Sequence, residues 1–429
     1  MLRTVLFWLH LSAGVIAGAL IIVMSVTGVL LTYEKQMKHW ADLRHLRAIN
    51  APLSTHLPAD SLIRLAESAR SNSHATGITL RSNPTEPAQI SFGRDGILFL
   101  DPASGTVLGN GDTATREFFS GAEEWHRWLA GEGPNRTRGK ALNDAANLLF
   151  LVLVLSGMVL WLPRTWTWVR VRAVLWFRTG LSPKARDFNW HNVLGIWSAI
   201  PLIVIVASGS VIGYQWAGNL VYRAVGEAPP PRTPPGPPPG ARSATANTPA
   251  PPTASLAGMI STAIPLMPDW KAVTAQVPAP GAKTASVTLD RGTGGQPQFR
   301  ATVQFTAATG AIAKYQPFDS LSASRQARSV LRFAHTGEVL GTTGQTIAGL
   351  ASIASVVLVI TGISLALRRG CTGVCTAPGT CVRNRSRRPG DLISRHIGRS
   401  MMSPHSATHR CDDCSRCRGR GCVIVATRR

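Results

Sequence analysis

The chain has 429 residues, 45% of them hydrophobic, and a formal net charge of +23. Such a charge invites a nucleic-acid reading, but its distribution excludes one. Part of it sits in a short loop between two apolar runs, and the segment after Gly370 adds twelve Arg, no Lys and three Asp, a net +9.

Four runs approach the roughly 20 apolar residues that cross a bilayer: Leu11–Tyr33, Ala145–Leu162, Val193–Tyr214 and Thr346–Leu367, none holding an Asp, Glu, Lys or Arg. The sequence divides accordingly. Span one takes residues 1–34. It is longer than the core of a signal peptide, about 7–15 residues, and no small-x-small cleavage site follows, so it is read as a retained helix. The first long loop, 35–144, carries a helical pattern over Ala59–Arg70 and short strands at Ile78–Leu80, Ala88–Phe92 and Ile97–Leu100. A turn at 101–105 leads into Thr106–Leu108. Span two takes 145–163, and a basic loop, 164–190, holds Arg164, Arg170, Arg172, Arg178, Lys184 and Arg186 against one acid, Asp187. Span three takes 191–214. A proline-rich linker, 215–253, should be extended. The second long loop, 254–345, repeats the first: a helix at Ser255–Ile264, strands at Ala272–Gln276, Ser286–Leu289 and Phe299–Phe305, then a turn into Ala311–Tyr315. Span four takes 346–369.

Positive residues mark the cytoplasmic side. Arg3, the basic loop and the Arg368–Arg369 pair place both termini in the cytoplasm and both long loops on the opposite face, the periplasm of a Gram-negative cell. The tail, 370–429, holds all seven cysteines, with Cys411, Cys414 and Cys417 at metal-ligand spacing. Its abrupt change of composition and lack of apolar periodicity read instead as a disordered or frame-shifted extension.

The chain is therefore two copies of one module, and the histidines follow the duplication. His10, Gly14, Gly28 and Tyr33 recur as His191, Gly195, Gly209 and Tyr214, each displaced by 181 residues. Ser156-Gly157 and Arg164 recur as Thr361-Gly362 and Arg369 at an offset of 205, and His126 at that offset falls four residues short of His335. His10 and His191 stand at the cytoplasmic ends of spans one and three, His126 and His335 on the outer side before spans two and four. One pair per face suits two haems, each with two axial imidazoles and no position open for oxygen. Glycines 14, 18, 28, 195 and 209 would let a flat ring or a neighbouring helix approach, and Arg127, Arg136, Arg138 and Arg332 would pair with propionates. His39 is a weaker candidate, and His45, His56 and His74 read as solvated loop residues. Neither outer domain shows a nucleophile–base set, and nothing in the chain resembles a G-x-G-x-x-G fingerprint.

At these positions the chain resembles the PepSY-associated transmembrane family, which includes PiuB-like iron-regulated proteins and FoxB-type ferric-siderophore reductases. The resemblance rests on Phe7-Trp-Leu-His10 with Gly14 and Ser25-Val-Thr-Gly28; on Trp125-His-Arg127, Leu155-Ser-Gly157 and Trp161-Leu-Pro-Arg164; on Trp190-His-Asn-Val-Leu-Gly195; and on Ala334-His-Thr-Gly337, Gly344-Gln345 and Ile360-Thr-Gly362. It implies a membrane α-helical fold of four transmembrane helices in two tandem repeats, each with a small α+β PepSY-like extracytoplasmic domain. It also implies an inner-membrane haem b protein, with His10 and His191 on the inner haem and His126 and His335 on the outer. Electrons would pass from a quinol or flavin-type donor to ferric siderophore or another ferric chelate, for iron acquisition. The alternative is a non-enzymatic, membrane-anchored PepSY module that binds proteins or regulates proteases. Iron transport without redox is a third reading, disfavoured because no span carries a charge to line a polar path.

Overall fold

The computed structural model describes residues 1–46, 52, 55–162, 166–231 and 254–374. Arg164, most of the proline-rich linker and the Cys411, Cys414 and Cys417 cluster lie outside the described residues. In chain order the elements are α1 (Leu2–Leu31), α2 (Glu34–His45), α3 (Ala59–Ala69), β1 (Gly77–Arg81), β2 (Ala88–Ser91), β3 (Ile97–Leu100), β4 (Val107–Gly109), α4 (Thr113–Trp128), α5 (Pro134–Trp161), α6 (Trp168–Leu175), α7 (Pro183–Gly213), α8 (Gln215–Ala224), α9 (Leu256–Ala263), β5 (Ala272–Gln276), β6 (Thr284–Asp290), β7 (Arg300–Thr306), β8 (Ile312–Pro317), α10 (Ala323–His335) and α11 (Gly341–Val374).

α1, α5, α7 and α11 are long and apolar enough to cross a membrane. α5 and α7 begin well before their apolar runs, each with a proline in its first turn, Pro134 and Pro183. The four form a bundle. Ala13, Ala17 and Ile21 of α1 meet Ala146, Phe150 and Leu153 of α5, Leu202 and Val206 of α7 and Ala351 of α11 in one buried cluster. Val15, Ile16, Ile200, Leu350 and Ile360 point outward and stay exposed, as lipid-facing residues must.

Two short helices, absent from the sequence reading, turn back onto the bundle just before α5 and α11. Asp112 caps α4, accepting from the Thr115 amide at 2.7 Å. At its far end the carbonyl of Trp128 presses on Gly139 of α5 so closely that a Cβ there would stand 2.0 Å from it. Gly344 of α11 meets the carbonyl of Gly337, beyond the end of α10, in the same way, at 2.1 Å. Only glycine permits these contacts. The elbows fix where α4 and α10 end, and His126 and His335 sit at those ends.

Strands of the two long loops join in one antiparallel sheet of order β4-β3-β2-β1-β5-β6-β7-β8. The sequence reading expected two separate units. The seam is β1 against β5, with Gly77 opposite Gln276 and Arg81 opposite Ala272. Each four-stranded half alone would leave a bare edge of unpaired amides and carbonyls, and pairing removes both. α3 and α9 cover one face, where Leu62, Ile63 and Ala66 with Leu256, Met259 and Ile260 bury Ile78, Ile90, Leu100, Val273, Leu289 and Phe305. Leu62 is fully buried there. Leu62→Ala should cost about 2–5 kcal/mol, read as a lower midpoint of thermal unfolding in detergent, whereas Leu65→Ala at an exposed position should change it little.

Asp60 ties the halves together. Its carboxylate accepts from the Leu256 amide at 2.9 Å, the Ala257 amide at 2.8 Å and the Ser255 hydroxyl at 2.7 Å, capping α9 from the first turn of α3. Partial burial works against its ionisation, but the donors on Ala257, Ser255 and Leu256 outweigh it and hold the carboxyl below its usual range. A depressed folded-state pKa means the cap is fully stabilising above the unfolded value near 4 and is lost as pH falls through the lower folded value. Asp60→Asn should therefore lower stability by about 1 kcal/mol at neutral pH. Its deficit against wild type should narrow below pH ~4, as measured by tryptophan fluorescence during denaturation. A deficit equal at pH 3 and pH 7 would contradict this.

Candidate functional site

Four histidines reach the bundle interior as two facing pairs. His10 on α1 and His191 on α7 stand with ring centroids 6.3 Å apart and planes at 86°. His126 on α4 and His335 on α10 stand 6.2 Å apart at 55°. The first pair lies beside Ser156 and Thr361, late in α5 and α11; the second beside Thr27 and Ser208, late in α1 and α7. Measured along α1 from His10 to Thr27, the pairs are about 25 Å apart.

Each ring is held through Nδ1. His10 Nδ1 is 2.9 Å from the Ser156 hydroxyl, His126 Nδ1 2.9 Å from Thr27 and His191 Nδ1 3.0 Å from Thr361. His335 Nδ1 is 2.8 Å from the carbonyl of Ile205 and 3.5 Å from the Ser208 hydroxyl. The direction of these bonds follows from proton counting. Each hydroxyl has one hydrogen, and each has a backbone carbonyl of its own helix to give it to: Leu153 for Ser156, Val23 for Thr27, Val357 for Thr361 and Val204 for Ser208. The hydroxyl oxygen then accepts from Nδ1–H. For His335 the carbonyl of Ile205 admits no other direction. In its neutral form each ring therefore carries its proton on Nδ1, the tautomer that turns the Nε2 lone pair to a metal.

Beside each hydroxyl stands a glycine against the same ring. A Cβ on Gly157 would come 3.3 Å from Cε1 of His10, on Gly362 3.3 Å from His191, on Gly28 3.6 Å from His126 and on Gly209 3.1 Å from His335. Four Ser/Thr-Gly dipeptides, 27–28, 156–157, 208–209 and 361–362, hence make four similar seats: the glycine makes room for the ring at each, and the hydroxyl fixes the ring at three, the Ile205 carbonyl taking that part for His335. The sequence showed the glycines and the paired dipeptides of α5 and α11, but not the hydroxyl contacts, which need the bundle geometry to be seen.

Metal–imidazole bonds of about 2 Å on opposite sides of one metal, plus about 1 Å from each nitrogen to its ring centre, put two centroids roughly 6 Å apart. Both pairs meet that spacing. Among the described residues no group of three or more His, Cys, Asp or Glu is placed to hold a metal ion. Two imidazoles at that spacing can hold a metal whose remaining ligands come from a flat macrocycle.

Other candidates lie elsewhere. His39 faces the sheet, its Nε2 3.4 Å from Glu86. Burial and the neighbouring Arg81 lower its pKa. His74 lies 3.7 Å from Glu67. Gly14 and Gly195 lie against Leu153 and Leu358. Arg127 pairs with Glu123 at 2.6 Å, while Arg136 stacks 3.6 Å over the Trp128 ring.

Comparison with known families matches the PepSY-associated TM region to residues 7–369. The chain belongs to the PepSY-associated TM family. Its matched region takes in most of each of the four long helices and all four histidines of the two pairs, and stops just before the cysteine-bearing tail. No curated protein matches the chain. As a PepSY-associated TM protein with four apolar helices, it is a membrane protein.

Proposed function

We propose that this PepSY-associated TM protein carries electrons across the bacterial inner membrane through two haems b, one held by His10 and His191 and one by His126 and His335. The acceptor is a ferric siderophore or other ferric chelate on the periplasmic face, and the donor a quinol or a flavin-type carrier on the cytoplasmic face. Haem b held by these histidines would supply one-electron redox chemistry. The observation that carries the reading is the two facing pairs at opposite ends of one bundle, every Nδ1 engaged by the chain itself.

The chain's own residues bind, orient and insulate. The hydroxyls of Thr27, Ser156 and Thr361 and the Ile205 carbonyl set the tautomer and the turn of the imidazoles. Ala13, Ala17, Ile21 and Phe150 keep water from the space between the pairs. We read the two halves as tandem repeats, each contributing one histidine per pair and one half of a PepSY-like sheet. The basic loop 164–190 sets both termini in the cytoplasm.

A dithionite-reduced minus oxidised visible spectrum of the purified protein tests this. The expected result is a sharp Soret difference with roughly two haems per chain and reoxidation of the reduced protein by a ferric chelate. Well-folded protein from haem-replete cells that carries no haem would overturn the reading and favour a membrane-anchored binding module.

A further inference from the structure

α4 and α10 do the same structural work, each ending in an outer histidine, yet their charges differ. α4 holds Arg116 and Arg127 against Glu117, Glu123 and Glu124, whereas α10 holds Arg325, Arg328 and Arg332 and no acid. The fold accepts either pattern, so the difference is not required for folding.

The three arginines of α10 are spaced three and four apart, on one face of the helix, and all are exposed. Like charges at that spacing repel. Among the described residues none of the three has a carboxylate within ion-pair distance; Arg328 lies over Tyr222 at 5.4 Å and Arg332 beside Phe333 at 5.9 Å. Glu227, at the start of α10, is engaged by the amide and hydroxyl of Ser324. Phe333 gathers two more cations, Lys35 at 5.3 Å and Arg300 at 5.5 Å, but these are neutralised by Glu338 and Asp290. The open positive face therefore runs along α10 towards Phe333, two residues before His335.

We propose that Arg325, Arg328 and Arg332 form the docking face for a small, oxygen-rich polyanion, a ferric chelate bearing carboxylate or catecholate groups. Guanidinium groups suit such ligands because they bind oxyanions in pairs of parallel hydrogen bonds. A lipid headgroup layer is the weaker occupant. It would surround the bundle and press on α4 as much as on α10, and α4 carries more acids than bases. The identity of the iron ligand rests on the electron-transfer reading above; the anion site does not.

The test uses the full chain in nanodiscs of zwitterionic lipid, as wild type, as Arg325→Gln and as Arg328→Gln/Arg332→Gln, with folding checked by size-exclusion profile. Binding of radioactive ferric citrate and of a cationic ferric trihydroxamate is measured by equilibrium dialysis, and reoxidation of the pre-reduced protein is followed with each. Ferric citrate should bind in preference to the cationic chelate, more weakly at high salt, and roughly tenfold or more weakly in the double variant. Equal binding of both chelates, or an unchanged double variant, overturns the proposal. So does loss of co-purified anionic phospholipid in the double variant with citrate binding intact. Ferric citrate that binds through the arginines but reoxidises nothing sustains the anion site and sinks the reductase reading. Equal reoxidation by both chelates in every variant does the reverse.

Discussion

His10→Ala is expected to leave roughly one haem per chain where wild type has two, and His126→Ala the same by losing the other site. Each pair is built from opposite halves of the chain, so either partner's loss leaves one imidazole facing an alanine across a gap that a single ligand cannot span. The seats themselves survive the change. Ser156 still donates to the Leu153 carbonyl and Thr27 to Val23, so no buried hydroxyl is orphaned and the bundle should hold. The remaining pair is about 25 Å away along α1, beyond any shared contact. His10→Ala/His126→Ala should be colourless, while His39→Ala, which removes a ring set against Glu86 and the sheet, should keep the full haem content. Haem extracted and quantified per chain decides it. Unchanged content in His10→Ala would remove the inner pair from consideration as ligands, whatever the spectrum of the wild type.

How much of this was legible beforehand differs by element. Spans were visible because a bilayer leaves backbone amides no partner but their own helix, which forces long uncharged runs. The short strands were legible within a residue or two, since alternation and turn residues such as Asp101 and Gly310 bracket them. The histidine pairs were foreseen from their matched offsets, and their meeting across the bundle is a contact that no local pattern dictates. The four-residue mismatch between His126 and His335 resolves in the elbows. α4 runs two residues past His126 and is followed by Leu129 and Ala130 with positive φ, whereas α10 ends at His335 and turns through Gly337 and a short 3-10 segment. Both routes deliver the ring to a Ser/Thr-Gly seat. What the sequence could not show is long-range pairing: β1 against β5 joins residues almost two hundred apart, and nothing in either strand's composition specifies the other.

The hydroxyls should separate into two classes when removed. Thr361→Val and Thr27→Val keep the volume and the β-branch but delete the acceptor for Nδ1 of His191 and His126. An imidazole released from such a partner can turn or change tautomer, and loss of this kind of outer contact typically weakens metal binding by about 10–100-fold. Each variant should therefore shed haem from its own site on dilution or on challenge with apomyoglobin, and shift that site's reduction potential, while the other site is unmoved. Ser156→Ala should behave likewise at the inner pair, though alanine leaves slightly more room. Ser208→Ala should not. The Ile205 carbonyl already takes the proton of His335 Nδ1 at 2.8 Å, and the Ser208 hydroxyl stands off at 3.5 Å. Three variants that lose one haem and a fourth that retains both, compared by potentiometric titration, would tie the ligand geometry to the hydrogen bond and not to helix packing in general. Equal losses in all four would mean that the Ser/Thr-Gly seats act through packing alone.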